Sequence, residues 1–269
     1  MKAAVKRFTP TPVLNVVKTS YDAFMRLPQL PDAYLHPWRR KSRSRMLAMH
    51  NIHNGERCFI IGNGPSLKQT DLTRLKNEFT FGMNRIYLLF PELGFNTTYF
   101  VSINDLVIEQ CAQEIAALPM PKFIAWHSNR HFQRLPDDLV FLYTTYTGAQ
   151  FAYDMTTRVW EGATVTNVAL QLAFYMGFAQ VILIGVDHNF TNKGKANQTV
   201  VSEGDDPNHF SPSYFGKGFR WQLPDLDTSE IGYALARNAF HRAGHEVLDA
   251  TVNGKLTIFP KVDYNTLFE

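Results

Sequence analysis

Two short apolar runs are each followed by residues whose types suit anion binding or catalysis. The run 57–61 leads into Gly62-Asn63-Gly64-Pro65-Ser66, and the run 181–184 leads into Gly185-Val186-Asp187-His188. Glycines at a strand-to-helix turn let a phosphate or ribose approach the backbone, and the next helix offers unpaired N–H groups. We predict a nucleotide-binding turn, with Asp187 and His188 at the strand end where α/β sheets hold ligands. A turn that needs glycine for its backbone angles explains the first segment nearly as well.

Further polar candidates follow other predicted strands. Asn84 and Asn104 could hydrogen-bond a base or ribose, and Arg85 could pair with phosphate. Thr164 and Thr166 precede an apolar helix, where hydroxyl and N–H groups could hold a phosphate or carboxylate. Capping of a helix N-terminus is the competing explanation for Asn104 and for both threonines.

The segment 189–224 is polar, contains Gly and Pro, and lacks clean periodicity, which predicts a lid or binding loop. It contains His209, a candidate general base for a sugar hydroxyl, although a single loop histidine is commonly just exposed. Lys217 and Arg220 could neutralise a leaving phosphate. No metal site is expected, because Asp187, His188 and His209 match no ligand spacing.

Composition bounds the class of protein. The chain has 269 residues, 45% hydrophobic and 19% charged, with a net charge of +3, which excludes disordered and low-complexity proteins and gives no argument for nucleic acid. Two cysteines, Cys58 and Cys111, make neither a disulfide framework nor a cysteine zinc site. No run of about 20 apolar residues is present. We expect a cytoplasmic protein.

Short apolar runs typical of strands alternate with stretches of helical spacing, and together they predict the elements that position these residues. Strands are expected at 57–61, 78–82, 97–102, 122–126, 139–143, 181–184 and 246–248, with a further strand-like run at 256–259. Helices are expected at 105–117, 163–176 and 229–241. This alternation favours an α/β fold with a mostly parallel sheet and helices on both faces. We predict a preamble at 1–55 and one domain at 56–269, with a lid at about 189–224.

The preamble contains a basic run at 38–45, directly after Pro37. One interpretation is a patch that faces anionic lipid or an acidic acceptor. The other is the solvated start of a helix, since charge runs usually face water.

The combined pattern resembles two related families. One comprises the bacterial sialyltransferases that use CMP-sialic acid, with the flagellin-glycosylating motility accessory factors. The other is named after the archaeal 6-hydroxymethylpterin diphosphokinase. The resemblance covers roughly 56–215 and rests on 59–67, Asn84, the helix that begins with threonine, and 177–187.

The sialyltransferase resemblance implies a Rossmann-like fold with a lid subdomain. It implies CMP contacts from Asn63, Gly64, Ser66, Asn84 and Asn104, and places Thr164 and Thr166 near the donor phosphate or sugar carboxylate. It also implies that the lid histidine, His209, is the general base of an inverting transfer without metal. The chain departs from the family at His188-Asn189-Phe190, where a tyrosine is missing, and at Gly162, where the family has arginine.

We therefore expect a glycosyltransferase-like enzyme of surface-glycan assembly with a nucleotide-sugar donor, CMP-linked and acidic. The expected acceptor is a glycan or a lipid-linked glycan, and no cofactor is required. A peripheral contact with the inner face of the membrane and an oligomer are left open. One alternative is an ATP- and Mg²⁺-dependent diphosphokinase, in which Asp105, Asp187, Asp205 and Asp206 would converge on the metal. The other is a nucleotide-binding protein without turnover.

Overall fold

The computed structural model describes residues 20–269 except 22, 192 and 193. The strands are β1 (Arg57–Ile61), β2 (Phe79–Met83), β3 (Tyr99–Ser102), β4 (Lys122–Ala125), β5 (Leu139–Thr145), β6 (Arg158–Trp160), β7 (Gln180–Ile184), β8 (Thr199–Val201), β9 (Arg220–Gln222) and β10 (Glu246–Asp249). The α-helices are α1 (Leu30–Leu35), α2 (Pro37–Ala48), α3 (Phe90–Leu93), α4 (Asp105–Ala117), α5 (Val165–Tyr175) and α6 (Leu226–Arg242). Short 3₁₀ helices lie at Leu27–Gln29, Pro65–Gln69, Leu72–Leu75, Ile86–Leu89, Trp126–His131 and Asn265–Phe268.

Eight strands form one parallel sheet in the order β10-β7-β1-β2-β3-β4-β5-β6. The chain runs outward from β1 to β6 and then returns to place β7 on the other side of β1. The strand order therefore reverses between β1 and β7, and such a switch point opens a crevice at the carboxyl ends of the strands. The predicted α/β, Rossmann-like parallel sheet is confirmed.

Helices cover both faces of the sheet, so its central strands have no face in solvent. All residues of β3, β4 and β5 are buried, as expected for parallel strands without a solvent face. Helices α5 and α6 belong to one core cluster, and α4 belongs to the other. Helix α5 lies across β1, β2 and β3, so its first turn stands at the carboxyl edge of the sheet.

Helix α2 covers the part of β5 that the shorter β6 leaves unpaired. Strand β6 pairs only with Tyr143–Thr145 of β5. Next to this stretch, Arg39 donates to the carbonyl oxygen of Phe141, and Ser42 Oγ accepts from the Phe141 N–H at 3.0 Å. Arg45 donates to the Leu139 carbonyl oxygen at 2.6 Å. A helix at Pro37 is confirmed, but the solvated basic face is wrong for Arg39, which is buried.

The differences from the predicted elements are local. The run 256–259 makes no strand pairing and exposes Thr257, and the three-residue β6 was not predicted. The helix after the glycine-rich turn is a five-residue 3₁₀ helix, so its N-terminal dipole is much weaker than that of an α-helix. The lid segment contains an antiparallel hairpin of β8 and β9.

Within the part of the chain that the structure describes, no helix is long and apolar enough to cross a bilayer. Residues 1–19 of the predicted preamble lie outside the described residues. The segment that follows them exposes large apolar side chains, namely Tyr21, Phe24, Met25, Leu27, Leu30 and Leu35. The domain boundary at residue 55 stays a prediction, although α2 already packs against β5.

Candidate functional site

The glycine-rich turn after β1 packs directly against the loop after β7. A Cβ added to Gly62 would overlap the carbonyl group of Gly185, and one added to Gly64 would overlap the carboxylate of Asp187. Neither Gly62 nor Gly64 has a positive φ, so backbone angles do not explain their identity. The two glycines are needed because two loops of the protein meet here with no room for a side chain.

Most N–H groups of this turn are satisfied inside the protein. Gly62 donates to Ile184 at 2.7 Å, Gly64 to Gly185 at 2.9 Å, and Ser66 to Asp187 Oδ1 at 3.2 Å. Pro65 has no N–H to offer. The expected cradle of unpaired amides is therefore not formed. Asn63 differs from its neighbours: its N–H makes no hydrogen bond with the described residues, and its Oδ1 is buried without a partner.

Asp187 and His188 both connect loops. Asp187 Oδ2 accepts from Ser66 Oγ at 2.7 Å, and burial raises the pKa of the Asp187 carboxyl. Ser66 does not cap the 3₁₀ helix that follows, because the N-cap residue of that helix is Gly64. His188 has a positive φ of 53°, and its Nε2 lies 3.0 Å from Glu230 Oε1 of α6. These contacts give both residues a structural role at the switch point.

The polar residues after β2 and β3 and before α5 have local partners. Asn84 Oδ1 accepts from Ser102 Oγ at 3.0 Å. Asn104 caps α4 by accepting from the N–H groups of two residues in its first turn, and Thr164 caps α5 by accepting from the Thr166 N–H. The capping explanation of Asn104 and Thr164 is confirmed, while any contact of these residues with a nucleotide stays a prediction.

The lid histidine forms a dyad with an aspartate. His209 Nδ1 lies 2.7 Å from Asp206 Oδ2, and the imidazole stacks on the Tyr214 ring at 4.0 Å between centroids. The Asp206 side chain is 4% exposed and that of His209 is 13% exposed, so both groups are held in place. With Nδ1 donating to Asp206, Nε2 is the acceptor nitrogen, and it makes no hydrogen bond with the described residues.

The lid is docked on the turn and on Arg85. The Phe210 N–H, next to His209, donates to the Asn63 carbonyl oxygen at 2.9 Å. Arg85 donates to the Ser213 carbonyl oxygen at 3.2 Å and also to that of Tyr214. The fold thus brings His209 close to the glycine-rich turn, although His209 and Gly64 are 145 positions apart in the sequence.

The remaining predicted cations differ in their surroundings. Arg220 pairs with Glu109 of α4 at 2.9 Å and lies at the junction of the lid hairpin and α4. Lys217 is exposed and makes no ion pair with the described residues. Lys217 and Arg85 line a cavity of about 460 Å³ between α4 and the lid. A second cavity, of about 420 Å³, lies under Phe210. Gly64 lines neither cavity.

Sequence reasoning missed several polar residues at this edge. Asp206 was not assigned a hydrogen bond to His209, although its position three residues before His209 permits one. His127, Tyr146 and Glu161 were not considered at all. Each follows the end of a strand, namely β4, β5 and β6, and that placement was the available signal.

Comparisons with known proteins place the chain in a family. The model of the family described as 6-hydroxymethylpterin diphosphokinase MptE-like matches residues 39–193, more than half of the chain. The chain belongs to the MptE-like family. The match begins inside α2 and includes the turn after β1 and the loop after β7, but it ends before the lid histidine.

A solved structure has the same fold as this MptE-like chain. The MAf glycosyltransferase from Magnetospirillum magneticum AMB-1 aligns with 93% of the chain at a TM-score of 0.50 and 14% sequence identity. The chain spans 42% of the length of that glycosyltransferase. No curated protein matches the chain in sequence. The predicted resemblance to the MptE-like family is therefore confirmed by sequence, and the MAf glycosyltransferase shares the fold of the chain.

Proposed function

We propose that this MptE-like protein is a glycosyltransferase-like enzyme of surface-glycan assembly. It transfers a sugar from a nucleotide donor, CMP-linked and acidic, to a glycan hydroxyl with inversion and without metal. The observation that carries the proposal is the His209–Asp206 dyad, which is docked through Phe210 on the Asn63 carbonyl. The fold shared with a MAf glycosyltransferase supports the same reaction class.

The dyad supplies a general base with a defined tautomer. Asp206 accepts the Nδ1 proton of His209, which leaves the Nε2 lone pair to take a proton from an acceptor hydroxyl. As that O–H bond breaks, the acceptor oxygen forms a bond to the anomeric carbon of the donor. The bond from that carbon to the phosphate oxygen breaks, and its electron pair leaves with the nucleotide. Attack opposite the leaving group inverts the anomeric centre.

Asn63 and Lys217 are the residues best suited to hold the donor. Asn63 has a free N–H and a buried Oδ1 without a partner, so it can hydrogen-bond a ribose or a base. The Lys217 ammonium is exposed in the lid and can balance the charge that develops on the departing phosphate. The first turn of α5, capped by Thr164, adds the positive end of a helix dipole, which favours an anion nearby.

Thermal-shift scans with CMP, CDP, UDP, GDP and ATP test the donor class. We expect a cytidine nucleotide to raise the unfolding midpoint of the wild type, because ligand that binds only the folded state stabilises it. An Asn63→Ala variant should lose most of this shift. Asn238→Ala, which changes an exposed residue of α6, is the matched control. A chain that responds to no cytidine nucleotide would contradict the proposed donor.

Donor turnover tests the base. His209→Asn should lower kcat roughly 10²- to 10⁴-fold, which is the usual contribution of general base catalysis. Asp206→Asn should lower it less, since the imidazole remains but its tautomer is no longer fixed. His241→Asn, in the last turn of α6, serves as the control because that side chain is exposed. Equal turnover in His209→Asn and His241→Asn would exclude His209 as the base.

A second candidate function follows from the description of the family model, which names a 6-hydroxymethylpterin diphosphokinase. It requires magnesium ligands, yet Asp105, Asp187 and Asp206 are each tied to different partners. No group of three metal-ligating side chains occurs among residues 20–269 outside the gaps. Formation of AMP from ATP in the presence of 6-hydroxymethylpterin and Mg²⁺ would establish this activity. Binding of nucleotide with no product in either assay would favour the protein without turnover.

The apolar segment 20–35 supports a peripheral membrane contact as part of this proposal. Its exposed side chains include Phe24 and Leu35, with exposed fractions of 68% and 70%, and the exposed basic residues Arg40 and Lys41 follow closely. Apolar side chains next to basic ones suit an anionic lipid surface. Co-sedimentation with phosphatidylglycerol vesicles should be reduced in Phe24→Ser and Leu35→Ser, while phosphatidylcholine vesicles should bind weakly.

A further inference from the structure

A cluster of polar side chains at the outer half of the sheet edge has no role in the reaction described above. We call it the β4–β6 cluster, and it consists of His127, Thr144, Tyr146 and Glu161. His127 lies in the 3₁₀ helix after β4, Thr144 and Tyr146 at the end of β5, and Glu161 directly after β6. Because these strands are parallel, all four residues lie on the edge of the sheet that also carries the glycine-rich turn.

His127 is the centre of the cluster. Its Nε2 lies 3.1 Å from the Tyr146 hydroxyl, and its Nδ1 lies 3.4 Å from Thr144 Oγ1. Glu161 Oε1 is 3.8 Å from His127 Nδ1, too far for a hydrogen bond. That oxygen is buried and has no hydrogen-bond partner, although the Glu161 residue is only 4% exposed. A buried polar atom without a partner is costly, and a bound ligand would remove the cost.

Burial shifts the titratable groups of the cluster toward their neutral forms. Burial raises the pKa of the Glu161 carboxyl to about 8, with a smaller contribution from the charge of Asp105. Burial also lowers the pKa of His127. Among the charged neighbours, Arg130 is paired with Asp105 and therefore does not offer an unpaired cation. The cluster presents a carboxylic acid, an imidazole and two hydroxyls.

This chemistry fits a neutral ligand that has several hydroxyl groups. Each member can both donate and accept hydrogen bonds, directly or by exchanging tautomers, as sugar hydroxyls do. The Tyr146 residue is 66% exposed, so its ring offers an apolar face beside these polar groups. None of the four cluster residues is a lysine or arginine that could balance a phosphate, and the described residues contain no candidate metal site.

We propose that the β4–β6 cluster binds the hydroxyl groups of a neutral sugar and is the acceptor subsite of this protein. The inference rests on the proposed glycosyl transfer for its place in a reaction. The sugar binding itself rests only on the cluster. His127 and Glu161 hydrogen-bond the sugar hydroxyls, and the Tyr146 ring packs against the C–H face of the sugar.

Saturation-transfer difference NMR on the full chain tests this assignment. The probes are methyl β-galactopyranoside, methyl α-mannopyranoside, methyl N-acetyl-β-glucosaminide and lactose. We expect at least one probe to bind the wild type, and its affinity to fall at least tenfold in Tyr146→Ala and in His127→Ala. The matched control is Tyr153→Ala, because Tyr153 is also exposed but packs on Phe151 and Phe174 instead.

The outcomes separate the two proposals. Absence of binding by every probe, or equal losses in Tyr146→Ala and Tyr153→Ala, would overturn the acceptor subsite. If sugars bind in a Tyr146-dependent way while no nucleotide shifts the unfolding midpoint, the transfer reaction fails and the sugar site stands. A Tyr146→Phe variant keeps the ring, so it separates the loss of ring contacts from misfolding of Tyr146→Ala. It should retain more affinity than Tyr146→Ala, and an equal loss in both would contradict a role for the ring.

Discussion

Two regions at the same edge of the sheet satisfy their polar groups in opposite ways. Between β1 and β7, Ser66 gives both its N–H and its hydroxyl to Asp187, and glycines let the loops touch. In the β4–β6 cluster, Glu161 Oε1 is buried without a hydrogen-bond partner and lies 3.8 Å from His127 Nδ1. The first region holds the loops in place, and the second retains hydrogen-bonding capacity for a ligand.

The largest expected effect is that of Gly64→Ala. The added methyl group overlaps the Asp187 carboxylate, so either the turn or the aspartate must move. We expect a loss of about 3 kcal/mol in the free energy of unfolding, measured by urea denaturation. Gly204→Ala is the control, since a Cβ there meets no atom within 4 Å. A loss below about 0.5 kcal/mol for Gly64→Ala would show that the contact between the turn after β1 and the loop after β7 has room for a methyl group.

Removal of the Asp187 carboxylate, which accepts both hydrogen bonds from Ser66, should have the next largest effect. Asp187→Ala leaves the Ser66 N–H and hydroxyl without partners, so we expect a loss of about 2 kcal/mol. Ser66→Ala should cost less, because the backbone N–H still donates to Asp187. A double-mutant cycle by urea denaturation gives the coupling between the two residues. Strictly additive losses would mean that the hydrogen bonds do not stabilise the junction.

Glu161→Gln tests the other region through pH. The pKa of Glu161 in the folded protein is about 8, above its ordinary value of 4.5, so between these values the folded state binds the extra proton. The stability of the wild type therefore falls as the pH rises through this window. Glu161→Gln lacks this loss and should gain relative to the wild type by at most about 1.4 kcal/mol per pH unit. Denaturation curves at several pH values measure the gain.

The control for that experiment is Glu203→Gln, which changes an exposed carboxylate of the lid. Its difference from the wild type should stay constant across the same pH range. A constant difference for Glu161→Gln as well would mean that Glu161 is ionised in the folded state, which would remove the neutral carboxyl from the β4–β6 cluster.

The smallest effect is expected for Tyr146→Phe. The hydroxyl lies 3.1 Å from His127 Nε2, but the residue is 66% exposed, and water replaces the lost partner. The free energy of unfolding should stay within about 0.5 kcal/mol of the wild type by urea denaturation. A loss well above 1 kcal/mol would assign Tyr146 to the scaffold, like Asp187.

Sequence patterns predicted the elements whose signals are local. The apolar spacing of 105–117 predicted α4 with the bounds Asp105–Ala117 that the structure has. The predicted helix 163–176 ends just before Gly177, which has a positive φ of 92°. The parallel sheet was predicted from strands and helices that alternate along the chain. These features depend on neighbours within a few residues, so one sequence is enough to predict them.

The contacts of the candidate site were harder to predict because they join distant segments. Gly62 and Gly64 were assigned to phosphate approach or to backbone angles, whereas their close neighbours, Gly185 and Asp187, are more than 100 positions away. Glu161 follows β6, a strand of three residues that is too short to give a periodic signal. The nucleotide contacts of Asn63, Asn84 and Lys217 stay predictions.

The helix that covers β5 has a consequence for how this protein can be divided. Arg39 and Ser42 occupy both backbone groups of Phe141, which would otherwise be open to a strand from another molecule. A fragment that began at β1 would therefore keep every strand of the sheet but would leave this edge of β5 unpaired and exposed. The basic segment before the first strand thus protects the folded chain against self-association.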